Sequence, residues 1–223
     1  MEKTISKRIL ILGATGRTGK HAIQFALEKG YQVAALVRNP TKINVRSNGL
    51  TIITGSPTNS NDVRKAMKDC DAVLSLLSPL TRGEAISFRK IDPPHFLEKT
   101  ITIVLKVMSE YEIKRILILS AIGAGNSFQY APWYVKLLIR MTNFKIIFDD
   151  HNAQEFLIQE SLTKWTIARP VGLNEKETLG ELDVTYDRKL RPFQMSRKLL
   201  AKFFIDNLYT DTYNQKIPML SEK

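Results

Sequence analysis

The chain has a single cysteine, Cys70, so it cannot form an internal disulfide, and a cysteine-based metal site is not expected. Its three histidines, His21, His95 and His151, share no ligand spacing, so no metal centre is expected. No apolar run approaches the roughly 18 residues that span a bilayer, and no membrane partner is expected. The early ILIL run is too short for a secretion signal and precedes no small-residue cleavage site, so the expected location is cytoplasmic. Long blocks of like charge are absent too. The net charge is +11, from 33 Lys+Arg against 22 Asp+Glu, yet no run of five or six like charges occurs, nor any aromatic–basic stripe. That argues against nucleic acid and for small anionic ligands. With no repeat, linker or low-complexity tract, residues 1–223 read as one domain.

What is present is an alternation of strands and helices. Six short apolar runs, at 7–12, 31–37, 50–54, 71–77, 115–119 and 164–168, have the continuous apolarity of strands covered on both faces. Helical patterns lie between them. Residues 17–29 point Ala22, Phe25 and Ala26 inward, and 96–110 carry Leu97, Ile101, Val104, Leu105 and Met108 on one face. Asp92, followed by Pro93 and Pro94, is the expected start of that second helix. Helices are also expected over 60–68, 149–161 and 196–208. Repeated β-α units with right-handed crossovers predict an α/β fold, a doubly wound and mainly parallel sheet with helices on both faces. Three long segments, 78–95, 120–135 and 170–194, leave the carboxyl ends of strands, where such sheets bind ligands.

The sequence GATGRTG joins the first strand to the first helix, and Gly30 with a second strand completes a β-α-β unit. Glycines at 13, 16 and 19 allow a sharp turn and let a pyrophosphate approach main-chain N–H groups at the helix N-terminus. Gly13, Thr15, Gly16, Arg17, Thr18 and Gly19 are therefore the expected cofactor cradle. Sites that prefer NAD place an acid about 20 residues further on, for the ribose 2′-hydroxyl. Here the second strand ends in LVRNP, with Arg38 at that point and no acid until Asp62. Arg38, with Arg17 beside it, predicts NADPH over NADH.

In order, GATGRTG, LVRNP, DAVLSLLSP, KRILILSAIGAG, DDHNAQEFL and WTIARPVGL resemble the atypical short-chain dehydrogenases/reductases. They are most similar to the flavin reductases of the biliverdin reductase B type and to NmrA-like NAD(P)-binding proteins. The resemblance spans roughly residues 7–208 and implies a Rossmann fold, NADPH, and reduction of a flavin or a related flat acceptor. It also implies that Ser78 lies beside the adenosine and ribose, and that His151 lies near the acceptor. Alcohol-oxidising members use Tyr-x-x-x-Lys, whereas none of the seven tyrosines here has a lysine four positions on. The relatives' histidine after the sixth strand is Val171, the acid often found after the third strand is Ser56, and an aspartate usual near Leu199 is missing.

Ser120 closes the fifth strand, at the nicotinamide end of such a fold, where its hydroxyl could bond the carboxamide, a ribose or the acceptor. LSAIG is not a hydrolase nucleophile elbow. His151 either orients the acceptor and supplies a proton or simply packs, with Asp149 or Asp150 capping its helix. Phe128, Trp133 and Tyr134 either form an aromatic platform or belong to the core. Two functions are expected from these residues. One is an NADPH-dependent reductase passing hydride to a planar partner such as a flavin or quinone, with the acceptor pocket built from the three long segments. The other is a non-catalytic NADP(H) sensor acting on a protein partner.

Overall fold

The computed structural model describes residues 7–79, 84 and 94–223. The chain runs β1 (Arg8–Leu12), α1 (Arg17–Glu28), β2 (Gln32–Val37), β3 (Leu50–Thr54), α2 (Ser60–Met67) and β4 (Ala72–Ser75). After residue 94 come α3 (Phe96–Glu110), β5 (Arg115–Leu119), α4 (Trp133–Met141), α5 (Phe144–Gln159) and β6 (Lys164–Pro170). Three short strands follow, β7 (Gly172–Asn174), β8 (Leu182–Thr185) and β9 (Gln194–Ser196), and then α6 (Arg197–Asp206) and β10 (Met219–Glu222).

The main sheet has the order β3-β2-β1-β4-β5-β6-β10-β8 and is parallel except for β8, which runs against β10. It is a doubly wound, mainly parallel α/β sheet in one domain. Both faces of each central strand are buried, which is why the strands read as unbroken apolar runs. Ile9 and Ile11 point to one face and pack under α1 and α6 with Ala22, Ile23, Leu200 and Phe204. Leu10 and Leu12 point to the other, toward Val63 and Met67 of α2 and Ile101 and Val104 of α3. Strand order reverses between β1 and β4, so a crevice opens beyond Leu12 and Ser75, the usual ligand position in such sheets.

Two parts of the sequence reading change. Helix α5 begins at Phe144, not at 149, so Asp149 and Asp150 lie inside it and cap nothing of their own. Asp150 instead caps α3. Its Oδ2 and Oδ1 accept the N–H groups of Leu97 and Glu98 at 2.9 and 3.0 Å, supplying the first-turn partner that His95, at φ 46°, does not. The expected cap, Asp92, lies outside the described residues. Second, the segment after β6 is not a plain loop. It contains β7, β8 and β9, and the chain ends in β10, which enters the main sheet. The carboxylate of Glu222 on β10 gathers this region, accepting the N–H groups of Gly180 and Ser196 at 2.7 and 2.6 Å. Burial pushes its pKa up, but those hydrogen bonds outweigh burial and leave it below the ordinary value.

Candidate cofactor and acceptor site

The turn from β1 into α1 is forced by its contacts. Gly13 sits at φ +81°, and a Cβ there would lie 2.6 Å from the Leu76 carbonyl oxygen leaving β4. A Cβ on Gly19 would lie 2.2 Å from the Gly13 oxygen, so α1 can approach the turn only as glycine. Among the described residues, side chains cap α2 (Asn59), α3 (Asp150) and α6 (Ser196), whereas α1, α4 and α5 have no such cap. Helix α1 starts at Gly16 with no capping side chain and no acid in its first turn. No capping side chain occupies its first N–H groups, which fits a bound phosphate at that end. Thr15 is half-buried and Thr18 is buried beneath this turn.

Arg38 is exposed just past β2, and among the described residues its side chain forms no ion pair or hydrogen bond. Arg17 is engaged. Its Nη1 donates to Glu175 Oε1 at 2.9 Å, and Glu175 also meets Arg197 at 3.2 Å. Sequence reasoning missed Glu175 because 158 residues separate it from Arg17. Asp62, the first acid after Arg38, lies beyond β3 and accepts the Ser56 N–H at 2.8 Å. Ser78 is exposed beyond β4. A groove of about 420 Å³ runs beside the turn, from Ala14 and Lys20 to Ile43 and Val45.

Beyond β5 and β6 lies a buried polar cluster that the sequence reading did not identify as a unit. Ser120, 2% exposed, donates to Glu155 Oε1 at 2.5 Å. Arg169 grips the same carboxylate with two N–H groups, at 2.9 Å from Nε and 2.5 Å from Nη2. Its Nη1 donates to Asn126 Oδ1 at 2.6 Å. A charged pair so enclosed is tolerable only because its lone pairs and protons find partners. The cluster ties the end of β5, the middle of α5, the end of β6 and the segment after β5 to one another. Ser120 thus meets a carboxylate directly, which constrains any contact it makes with a ligand.

His151 is 5% exposed and sits inside α5. The Gln154 amide lies 2.7 Å from its Nδ1 and also donates to the Leu119 carbonyl at 2.9 Å. Burial and then the nearby Arg169 charge pull its pKa down to about 4. The ring is neutral at pH 7 and accepts a hydrogen bond there, which does not suit a proton donor. Of the three aromatic candidates, Phe128 is covered by Lys136 and Arg140, whose cationic groups lie 5.5 and 5.9 Å from its ring centroid. It also borders a cavity of about 300 Å³ with Phe148 and Asn152. Trp133 and Tyr134 are not core; they are 76% and 45% exposed. Tyr134 meets Phe193 edge-on at 6.4 Å, joining α4 to the segment after β8. Val171 is buried.

Residues 13–211 match the model of a family described as NAD(P)H-binding. Among curated proteins, the chain is 35% identical over 80 residues to one named probable pinoresinol-lariciresinol reductase 3 of Arabidopsis thaliana. That match covers 34% of this chain and 26% of the relative, about a quarter of its length. Among solved structures, it resembles a short-chain dehydrogenase/reductase from Veillonella parvula in complex with NADP, with TM-score 0.74 and 18% identity over 97% of this chain and 94% of that one. ChuY, an anaerobillin reductase from Escherichia coli O157:H7, superimposes with TM-score 0.78 at 17% identity, covering 97% of each chain. At these identities the structures speak for the fold. No helix among the described residues is long and apolar enough to cross a membrane.

Proposed function

This chain belongs to the NAD(P)H-binding family, and on that premise we propose that it is an NADPH-dependent reductase passing hydride to a planar acceptor such as a flavin or quinone. The observation that carries this reading is the uncapped glycine turn, paired with an unengaged arginine where NAD-selective sites place an acid. Residues 13–19 would hold the pyrophosphate, Arg38 the 2′-phosphate, and Ser78 the adenosine side. When bound, the reduced nicotinamide supplies the hydride.

The chain's own part is binding, orientation and exclusion of water. Glu155 and Arg169 fix Ser120 at the strand end, so a serine meant to orient the nicotinamide would be held in place before a ligand arrives. His151, neutral and enclosed, packs α5 and holds Gln154 on the Leu119 carbonyl. Neither residue offers a ready proton relay, and reduction of a flavin at N5 requires no tyrosine acid. Segments 120–135 and 170–194 would shape the acceptor pocket; most of 78–95 lies outside the described residues. The named reductases among the relatives and structural neighbours support reductase chemistry.

Steady-state NADPH oxidation, followed by absorbance with FMN and then with a quinone, tests the reading. Protein-dependent turnover is the expected result. Tight NADPH binding with no turnover on any acceptor would instead favour the second reading, a redox sensor with a protein partner. The enclosure of both Ser120 and His151 is the observation on that side.

A further inference from the structure

Helix α4 carries an apolar face that the rest of the described chain leaves open. Eleven large apolar side chains are exposed among the described residues, and five of them, Trp133, Tyr134, Leu137, Leu138 and Met141, lie on these nine residues. Met141 is 60% exposed and Leu137 47%. Their spacing makes one stripe, with Trp133, Leu137 and Met141 a turn apart and Tyr134 and Leu138 beside them. A second stripe, Val135 and Ile139, faces inward onto Ala124 and Phe148 and anchors the helix to the domain. So dense an exposed cluster marks an interaction surface more often than an accident of sequence.

Charge decides between occupants. From residue 121 to residue 148 there is no Asp or Glu, while Lys136, Arg140 and Lys145 are present. Lys145 is paired with Asp149 at 2.6 Å, whereas Lys136 and Arg140 form no ion pair among the described residues. A two-fold contact between copies would set this acid-free cationic helix against its own kind. A surface that is apolar with a negative face suits it better. Tryptophan and tyrosine at one end, leucine and methionine along the face and cations beside it are the pattern of a helix lying in the plane of a membrane interface. The net charge of +11 acts in the same direction.

We propose that α4 is a membrane-surface helix that docks this protein on anionic lipid bilayers, its Trp133–Met141 face entering the headgroup boundary. A helix that lies on a bilayer needs no spanning segment, so the lack of one does not bear against it. The inference is independent of hydride transfer. If both hold, the Tyr134–Phe193 contact places the docked face beside the segment proposed to shape the acceptor pocket, and a lipid-soluble acceptor could enter from the bilayer.

The test is co-sedimentation of the full chain, without cofactor, with phosphatidylcholine vesicles containing about a third phosphatidylglycerol, and with phosphatidylcholine alone. The wild-type chain should pellet with the anionic vesicles and much less with the neutral ones. Leu137→Ser/Met141→Ser, two exposed positions whose change leaves the core intact, should weaken that partition at least roughly tenfold. Arg140→Glu should do the same. Thermal melts of both variants should match wild type, separating lost docking from lost folding. Wild-type chain remaining in the supernatant would overturn the proposal. So would pelleting that survives Leu137→Ser/Met141→Ser, which would assign it to general positive charge. A vesicle-free dimer by light scattering that this variant converts to monomer would assign the face to a second copy, and would overturn it equally. NADPH oxidation with soluble FMN is scored separately, so failure of the reductase reading leaves this outcome untouched.

Discussion

Replacing Glu155 with glutamine should be among the most damaging single changes near the proposed site. The carboxylate is 2% exposed and accepts three hydrogen bonds, one from Ser120 and two from Arg169, which is itself 4% exposed. Glutamine keeps the volume and one acceptor oxygen, but its NH₂ faces donors, and the Arg169 charge loses its partner. Breaking one side of a buried pair costs about 3–5 kcal/mol, mainly because the other charge stays uncompensated. At roughly 2–4 °C per kcal/mol for a chain of this size, the melting temperature should fall by about 6–20 °C. Ser120→Ala removes a single hydrogen bond to the same carboxylate and should cost only about 1–2 kcal/mol. Glu155→Gln/Arg169→Gln removes both charges and should recover part of the loss, since the penalty lies in the orphaned charge. Urea unfolding of the three variants measures all of this. A Glu155→Gln loss below about 1 kcal/mol, or a double variant less stable than Glu155→Gln alone, would refute the account of the cluster.

Other residues give independent tests. Arg38→Ala should weaken NADPH binding about ten- to a hundredfold and leave NADH nearly unchanged, as read by the two dissociation constants; equal losses would reject its role at the 2′-phosphate. Glu175→Ala releases Arg17 from an exposed pair, so NADPH should bind tighter by up to about fivefold; calorimetric titration showing weaker binding would mean that the pair positions the turn. His151 is held neutral in the fold with its pKa near 4, while the unfolded chain protonates it near 6.5. The unfolded state therefore binds the extra proton in this window, and stability falls as pH drops from about 6.5 to 4, by up to about 3 kcal/mol. His151→Leu should flatten that part of the denaturation profile; an unchanged slope would place its cause elsewhere. If Ser120 orients the nicotinamide, Ser120→Ala should also lower turnover several-fold at nearly constant NADPH affinity, and unchanged turnover would remove that role.

The central sheet was legible in the sequence because its strands are buried on both faces, and β3 and β5 match their expected bounds. Strands β7 to β10 were not, because GLN, LDVT, QMS and MLSE have three or four residues each, of mixed polarity, and gain their pairing only from the folded neighbourhood. The glycine turn could be read as a unit since local sterics define it. The start of α5 could not. Thr142 and Asn143 precede FKIIF, but the two aspartates after it imitate a helix start more strongly, and one of them caps a helix 52 and 53 residues away in sequence. The Ser120–Glu155–Arg169 cluster escaped for the same reason. Its members are 35 and 14 residues apart, and each alone reads as an ordinary polar residue beside an apolar run. The usable signal was Arg169 at the end of an otherwise apolar strand, since a guanidinium entering a core requires acceptors from other elements, backbone carbonyls for Arg115 and a carboxylate for Arg169. Asked of WTIARP, that question leads to the acids of the preceding helix, of which Glu155 sits a full helical turn beyond His151. Side chains that satisfy one another across the fold are thus found by asking what a buried charge must have, a question that periodicity alone does not pose.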